Sequence, residues 1–301
     1  MAEEKYIAPK DAAEILSVKK NTVYDMIRQG RLRAVKIGKQ FRIREADVLA
    51  LVSGAAQAEP GAELAGRQGD EVILCGQDML LDNLCARVNA AEGRQAVRRS
   101  YQGSYNAIFS LYQGHVQLAT AHLWDWESDS YNLPFVRKML PGMAVRVYHI
   151  VNRAVGIYTA VGNPKKITSI LDFAREDVRM VNRERGSGIR VLTDSLFLQH
   201  GISPSAVGGY DRVVGSHMAA AEAVARGEAD CAFGNARSVL GSETVDFHLV
   251  KYEQYDLIVP EAELEKSVVQ RLLGVLESEA MRLETEALGG YDAADMGKRL
   301  L

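Results

Sequence analysis

From residue 71 onward, short apolar runs typical of β-strands alternate with segments that have the apolar spacing of helices. The first expected elements, in chain order, are "EVILCG", 78–91, "QAVRRSY", "GSYNAIFSLYQG" and "VQLATAHLW". Two longer β-type stretches follow, "AVRVYHIVNRAVGIYTAVG" and "FHLVKYEQYDLIVP", and a helix is expected over residues 262–285. This order predicts an α/β domain with a largely parallel sheet.

Charge is divided unevenly along the chain. Residues 1–54 carry 11 Lys or Arg and 7 Asp or Glu, a net charge of +4, whereas residues 55–301 carry 25 and 32, a net charge of −7. Within Ser17–Arg44 there are nine basic residues and one acid, Asp25. A basic island on an acidic chain indicates a site for a polyanion.

The basic island has the order of elements of a DNA-binding module. "IAPKDAAEIL" predicts a short helix with Pro9 at its first position, and Val23 and Ile27 are spaced to share the buried face of a second helix that ends before Gly30. "AVKIGKQFRI" alternates like a strand pair around Gly38-Lys39. A helix-turn-helix followed by a hairpin is a winged arrangement, in which the second helix can enter the major groove.

Residues 5–52 resemble the excisionase-type branch of winged helix-turn-helix domains, through "AAEILSVKKNTVYDMIRQGRLRAVKIGKQFRI". The resemblance implies binding to double-stranded DNA, and the alternative is a solvated basic face on a small helical domain. The candidate DNA-binding residues are Lys19, Lys20, Asn21, Thr22, Tyr24, Arg28, Lys36, Lys39 and Arg42.

The predicted organisation has three parts: a winged helix-turn-helix domain over residues 1–52, a linker over 53–69 and a ligand-sensing domain over 70–301. The linker is rich in Ala and Gly and contains the turn dipeptide Pro60-Gly61. The alternative for this stretch is a longer helix that continues from Leu51.

Small residues stand at several expected strand-to-helix turns of the long domain. Ser104, Ser187 and Ser216 each begin a helix, and "CGQD" forms the turn after the first strand. Helix N-termini expose backbone N–H groups that suit anions, and ligands of open α/β sheets lie beyond the carboxyl ends of the strands. Serine is also an ordinary helix cap, so each turn alone allows a structural explanation.

Residues 70–285 resemble the type II periplasmic-binding-protein fold through "GSYNAIFSLYQGHVQLATAHLWD", "VRMVNRERGSGIRVLTD" and "AAEAVARGEADCAFG". The group is similar to molybdate-binding proteins, which implies two lobes and an oxyanion ligand in the cleft between them. An ionised Asp78 in the first turn would repel an anion unless its carboxylate points away. The candidate ligand-binding residues are Gln77, Ser104, Tyr105, His122, Asp125, Arg185, Ser187, Gly188, Ser216 and Asn235.

Two of these candidates have plain structural alternatives. Arg183, Arg185 and Arg190 surround the Gly-Ser-Gly turn, and each suits a bidentate contact with an anion but also a surface ion pair. His122 also fits a structural position in the core. The three cysteines form no close pair, which predicts buried thiols in a reducing cytoplasm. The start "MAEEKYIAPK" has no apolar core, so no secretory signal is expected, and no apolar run is long enough to span a membrane.

The six histidines are scattered, and no nucleophile elbow or phosphate-binding loop motif occurs, so neither a metal site nor an enzyme is expected. The prediction is a cytoplasmic one-component transcriptional regulator that works as a homodimer. No cofactor is expected apart from molybdate or tungstate bound as the effector. The alternatives are a sensor of a small carboxylate and a recombination-accessory or architectural DNA-binding protein with an assembly domain.

Overall fold

The computed structural model describes residues 6–16, 23, 32, 34–37, 40–45, 48 and 71–301. The chain divides into two compact units, Met1–Gln68 and Gly69–Leu301. The predicted linker over residues 53–69 lies outside the described residues.

The first unit contains a short helix and a three-stranded antiparallel sheet in the order β1-β3-β2. Its described elements are β1 (Tyr6–Ile7), α1 (Pro9–Ile15), β2 (Val35–Ile37) and β3 (Gln40–Arg44). The alternation of the wing sequence predicted the β2–β3 pair, and the structure confirms it. Val23 is helical and fully buried, as predicted for the inner face of the second helix, and it packs with Ala12 and Ile43.

The second unit alternates strands and helices along most of its length. Its strands are β4 (Val72–Cys75), β5 (Val97–Ser100), β6 (Leu118–Ala121), β7 (Trp124–Asp125), β8 (Ser130–Tyr131), β9 (Val145–Ala160), β10 (Met180–Arg183), β11 (Val213–Val214), β12 (Cys231–Asn235), β13 (Val245–Pro260) and β14 (Tyr291–Asp292). Its α-helices are α2 (Met79–Glu92), α3 (Ser104–Tyr112), α4 (Leu133–Met139), α5 (Gly188–Gln199), α6 (His217–Ala225), α7 (Ser267–Leu276) and α8 (Glu279–Ala287).

One mixed sheet runs through this unit in the order β11-β10-β12-β9-β13-β6-β4-β5, with β14 paired to β9. The prediction of a largely parallel sheet is wrong at its centre. The long strands β9 and β13 pair antiparallel with each other, and each joins its neighbours β12 and β6 in the same antiparallel sense. Parallel pairing is confined to the two outer parts, one on each side of these strands.

The two long strands connect two lobes, because each takes part in both halves of the sheet. In the first lobe, Leu84 of α2 and Leu272 of α7 pack on one face of the sheet, and Ile108 of α3 packs on the other. In the second lobe, Leu192 of α5 and Ala220 of α6 belong to separate buried clusters that also include strand residues. Burial of apolar surface on both faces of the sheet therefore stabilises each lobe.

The helix expected over residues 262–285 is divided into two, which corrects the sequence prediction. Ser278 has an extended backbone, with φ −72° and ψ 140°, so α7 ends before it and α8 begins after it. Its hydroxyl donates to the carbonyl of Val275 at 2.7 Å and accepts from the N–H of Met281 at 3.3 Å. The side chain thus satisfies orphan groups of both helix ends, a local signal that apolar spacing alone does not carry.

Candidate ligand-binding site

Two strand-to-helix turns from different lobes touch each other. The N–H of Tyr105, at the start of α3, donates to the carbonyl of Gly186, just before α5, at 3.0 Å. A Cβ on Gly103 would lie 2.6 Å from the Cα of Ser187, so only glycine permits this approach. The sequence placed small residues in both turns, and the structure shows that their packing requires them.

Around this contact the lobes border a small pocket with a cavity volume of about 10 Å³, which we call the inner pocket. Its lining residues are Gln77, Gln102, Gly103, Ser104, His122, Arg183, Ser187, Gly188, Ile189, His217 and Tyr255. Five of the ten candidate ligand-binding residues, those at positions 77, 104, 122, 187 and 188, come together here. They derive from turns that are far apart in the sequence but meet where strands of both lobes end.

Hydrogen-bond donors are concentrated in the inner pocket. Ser104 is a buried residue, 3 % exposed, and its hydroxyl accepts the N–H of His122 at 3.2 Å. Among the described residues nothing accepts the proton of this hydroxyl. Helix α3 has no side-chain cap at Gly103. The N–H groups of Gly188 and Ile189 lie in the first turn of α5, where no intrahelical acceptor exists. These groups suit an oxygen-rich anion.

The hydroxyl of Ser187 has a different role from that of Ser104. It donates to the carbonyl of Glu184 at 2.9 Å and accepts from the N–H of Arg190 at 3.3 Å, so it caps α5. The structural explanation that the sequence left open therefore holds for this side chain. Its backbone still shapes the pocket, because it lies against Gly103.

Arg183, at the end of β10, supplies a positive charge at the pocket. Its Nε and Nη2 donate to the two carboxylate oxygens of Glu184 at 2.7 and 2.8 Å, and Nη2 also donates to the carbonyl of Gly215 at 3.1 Å and to Oε1 of Gln77 at 3.2 Å. Its Nη1 has no hydrogen-bond partner within the described ranges, although the residue is only 3 % exposed. A fixed guanidinium with one open nitrogen is suited to an anion.

His122 connects the pocket to a buried ion pair. Its Nδ1 lies 2.7 Å from Oε2 of Glu253, whose Oε1 accepts from Nε of Arg153 at 2.5 Å. Burial acts to raise the pKa of Glu253, but the charge of Arg153 and the interaction with His122 outweigh it and lower the pKa to about 2. Glu253 and Arg153 lie opposite each other on β13 and β9, so the pair sits where the two lobes are joined.

Asp78 does not oppose an anion in the pocket. Its carboxylate accepts from the N–H of Leu80 at 2.8 Å and from the hydroxyl of Tyr291 at 2.9 Å, and it forms an ion pair with Arg153. The charge is therefore compensated, and the side chain acts as the N-cap of α2. The neighbouring Gln77 lines the inner pocket, as predicted.

A second, larger space with a cavity volume of about 350 Å³, which we call the outer cavity, lies next to the inner pocket. Its lining residues are Gln77, Asp78, Met79, Asp82, Tyr101, Arg183, Gly215, Ser216, His217, Met218, Asn235, Arg237, Ser238 and Tyr291. The candidates Ser216 and Asn235 are found here and not in the inner pocket. Both side-chain oxygens are helix caps: Ser216 accepts from Ala219 at 3.0 Å and Asn235 from Ser238 at 2.9 Å.

Three candidates lie elsewhere. Tyr105 and Arg185 line a separate cavity with Arg190 and Tyr210. Neighbouring helical residues point about 100° apart, so Ser104 and Tyr105 cannot both face the inner pocket. The strand ends at Arg183, and the turn after it directs Arg185 elsewhere. Asp125 stabilises the turn after β7, where it accepts from the N–H and hydroxyl of Ser128 at 3.1 and 2.5 Å.

Sequence reasoning missed three polar residues of the inner pocket, Gln102, His217 and Tyr255. It considered a fourth, Arg183, as one of three arginines around the Gly-Ser-Gly turn but chose Arg185 as the candidate. Arg183 and His217 carried a usable signal, since one ends a strand and the other directly follows the cap of α6. The ring Nδ1 of His217 is buried without a partner, although the residue as a whole keeps some exposure. Burial first, and then the charges of Arg183 and Arg153, hold the pKa of His217 well below its ordinary value.

The candidate DNA-binding residues are mostly outside the described part of the chain. Arg42 lies on β3, half-buried, with Nη1 donating to the carbonyl of Phe41 at 3.4 Å. Only the backbone of Lys36, on β2, is described. The remaining candidates lie outside the described residues: Lys19, Lys20, Asn21, Thr22, Tyr24, Arg28 and Lys39.

Three buried cysteines, Cys75, Cys85 and Cys231, are free thiols, as expected. Over residues 71–301 and the described parts of the first unit, no three His, Cys, Asp or Glu side chains are grouped so that they could hold a metal ion. Within the same residues, no helix has both the length and the apolar character needed to cross a membrane.

Two lobes on paired crossover strands, with a polar pocket between them, define a ligand-binding domain of the periplasmic-binding-protein type. The chain belongs to the family described as PBP superfamily domain, which matches residues 86–277. Residues 6–55 match a family described as helix-turn-helix domain. The protein therefore joins a DNA-binding helix-turn-helix to a ligand-binding domain, as the sequence resemblance implied.

The similarity to one relative extends over nearly the full length of both chains. "Uncharacterized protein YvgK" of Bacillus subtilis (strain 168) is 34 % identical, over 97 % of this chain and 96 % of that protein. Among solved structures, a putative phosphate ABC transporter substrate-binding protein with bound phosphate, from Clostridium perfringens, has a TM-score of 0.56 at 14 % identity and covers 74 % of this chain and 99 % of its own. A mutant form of full-length BenM has a TM-score of 0.52 at 13 % identity and covers 95 % of this chain and 93 % of its own. At identities this low, the two structures show a similarity of fold and nothing more.

Proposed function

We propose that the protein is a one-component transcriptional regulator whose binding to double-stranded DNA is controlled by a small oxyanion in the inner pocket. The observation that carries the proposal is the convergence of the Ser104 hydroxyl, the free N–H groups at the start of α5 and the open nitrogen of Arg183 on one enclosed space between two lobes. The proposal places the protein in the cytoplasm and assigns it no catalytic step.

The choice of an oxyanion rests on the kind of donor in the pocket. Neutral hydroxyl and backbone N–H groups at helix starts, with one guanidinium, match the several oxygens of a tetrahedral anion. The phosphate-binding neighbour from Clostridium perfringens shares this fold. Molybdate and tungstate, which the sequence resemblance favoured, have the same tetrahedral shape and are candidates beside phosphate.

Control of DNA binding requires that the ligand distinguish two states of the domain. The donors belong to both lobes, so an anion that contacts Ser104 and Arg183 together binds the closed arrangement better than an open one. Only such a difference in affinity can shift a conformational equilibrium.

Calorimetry with molybdate, tungstate, sulfate and phosphate tests the ligand assignment. Ser104→Ala removes a buried donor and should weaken binding by about 1 kcal/mol or more. Ser205→Ala, at an exposed position outside the pocket, is the matched control and should bind like the wild type. Absence of heat and of thermal stabilisation with every oxyanion would end this assignment.

The DNA assignment has its own test. Arg28→Glu combined with Arg42→Glu should abolish binding to duplex DNA and flatten its salt dependence, because fewer phosphate contacts release fewer counterions. An affinity and salt slope equal to those of the wild type would contradict the assignment.

We propose further that the protein acts as a homodimer through its second unit. The apolar stripe of α7 is unavailable for this role, because Val268 and Leu272 are fully buried in the core. Helix α3 instead exposes Tyr105, Phe109 and Tyr112, which recur at helical spacing and are 44, 50 and 45 % exposed. A row of exposed aromatic side chains is typical of an interaction surface.

A further inference from the structure

The inner pocket and the outer cavity are adjacent and share part of their lining. Three residues, Gln77, Arg183 and His217, line both spaces. The hydrogen bond between Gln77 and Arg183 lies at this junction and joins the lobes. A molecule anchored in the inner pocket can therefore extend outward past these side chains.

The outer cavity has an apolar character that the inner pocket lacks. Met79 and Tyr101 come from the first lobe and Met218 from the second, and all three are more than half exposed, at 52, 63 and 55 %. Exposed apolar side chains that gather around a concave space are typical of small-molecule sites. A bare oxyanion would leave these three residues without contact.

A second polar anchor lies in the outer cavity. Arg237 follows β12 in a 3-10 helix, its Nε is buried without a hydrogen-bond partner, and within the described residues it forms no ion pair. The acidic residues of the cavity are paired with other residues and not with Arg237. Asp82, for example, accepts hydrogen bonds from Arg99 and from the hydroxyl of Tyr101, at 2.6 and 2.8 Å. The unpaired nitrogen is suited to an acceptor atom on a bound molecule.

We infer that the ligand is an organic oxyanion, such as a phosphate monoester, whose charged head occupies the inner pocket and whose organic substituent occupies the outer cavity. The substituent has an apolar or aromatic part between Met79 and Met218 and an acceptor for Arg237. This inference rests on the proposed function and specifies the chemical class of the ligand. Because the substituent touches both lobes, it adds to the preference for the closed state.

The test compares inorganic phosphate and molybdate with phenyl phosphate and glycerol 3-phosphate, by calorimetry on the full-length protein. At least one monoester should bind about tenfold or more tightly than inorganic phosphate, the gain expected for burying a modest apolar area. Met79→Ala combined with Met218→Ala should remove most of that gain while leaving the affinity for inorganic phosphate unchanged. Leu198→Ala, at a position 67 % exposed on α5 and outside both spaces, is the matched control and should change neither affinity.

Other outcomes separate this inference from the proposed function. Molybdate or inorganic phosphate binding as tightly as both monoesters would overturn the inference and leave the oxyanion-controlled regulator standing. A monoester advantage that survives the double methionine variant would also overturn it, because the outer cavity would then not hold the substituent. Absence of binding by all four compounds would overturn the proposed function and the inference with it. Both methionines are exposed, so the melting temperature of the double variant should match that of the wild type.

Discussion

Gln77 and Arg183 lie in different lobes, and Oε1 of Gln77 accepts a hydrogen bond of 3.2 Å from Nη2 of Arg183. The contact lies at the point where the inner pocket meets the outer cavity. Since Nη1 of the same guanidinium is open, Arg183 can hold the lobes together and receive an anion at once. We therefore expect ligand binding to depend more on Arg183 than on the neighbouring Arg185.

Arg183→Lys should weaken oxyanion binding by about 1.5–3 kcal/mol, the usual contribution of a charge-assisted hydrogen bond. Lysine keeps the charge but lacks the planar fork that engages Glu184, Gln77 and a ligand together. The matched control is Arg185→Lys, because Arg185 lines a separate cavity. Isothermal titration calorimetry measures the affinity of both variants for the oxyanion. A loss of affinity in the Arg185 variant but not in the Arg183 variant would reverse the assignment.

The buried pair of Arg153 and Glu253 should make stability depend on acid pH. The pKa of Glu253 is lowered from its ordinary value near 4.5 to about 2, so its stabilising charge is fully present above pH 4.5 and is lost as the pH falls towards 2. This linkage corresponds to roughly 3 kcal/mol at neutral pH. Glu253→Gln should therefore lower the free energy of unfolding most at neutral pH. The difference from the wild type should become smaller as the pH falls.

Urea unfolding at a series of pH values measures this difference. Glu243→Gln, at an exposed position, serves as the control and should unfold like the wild type throughout. A deficit of the Glu253 variant that stays constant from pH 7 to pH 3 would show that the charge of Glu253 does not stabilise the fold.

His217 should add a second pH dependence near neutrality. Its pKa in the folded protein is well below the ordinary 6.5, because of burial and the charges of Arg183 and Arg153. Below pH 6.5 the unfolded chain takes up a proton that the folded protein does not, so stability falls as the pH decreases, with a slope of up to about 1.4 kcal/mol per pH unit. His217→Asn should reduce this slope between pH 7 and 5, whereas His200→Asn, at an exposed position, should not. Equal slopes in the wild type and the His217 variant would contradict the prediction.

The exposed aromatic residues of α3 give a test of dimerisation. Phe109→Glu places a charge in the middle of that row and should convert a dimer to a monomer in light scattering at micromolar concentration. Leu198→Glu, which alters an exposed apolar residue of α5, should leave the dimer intact. A wild-type protein that is monomeric with and without DNA would reject the homodimer altogether.

Local patterns predicted most elements and the pairing within the wing hairpin, but not the pairing of strands that are distant in the sequence. The alternation around Val35 and Ile43 identified the wing strands, and the apolar spacing after Asp78 identified α2, because these signals depend only on which side chains are buried. The antiparallel pairing of β9 with β13 was missed, since the sequence records a strand but not its neighbour. The division between α7 and α8 was missed because one serine that ends a helix looks like any helical serine.

In the candidate site, too, residues with a local signal could be predicted, whereas residues that depend on long-range packing could not. Ser104 and Gly188 were identified because small residues at a helix start have a local reason to be there. Arg183 and His217 become site residues only through packing between the two lobes, as the contact between Gln77 and Arg183, 106 positions apart in the sequence, illustrates. Adjacent positions such as Ser104 and Tyr105 were assigned together, and the geometry of the helix then separated them.

The most direct test of the account measures DNA binding by the full-length protein with and without a ligand that calorimetry has shown to bind. DNA fragments selected by the protein from a genomic pool are labelled, and fluorescence anisotropy gives the affinity at fixed salt. We expect the ligand to change the DNA affinity of the wild type about tenfold or more, in either direction, and to have a smaller effect on Arg183→Lys at the same concentration. An unchanged DNA affinity at saturating ligand would contradict the account, because the second unit would then bind its ligand without controlling the first.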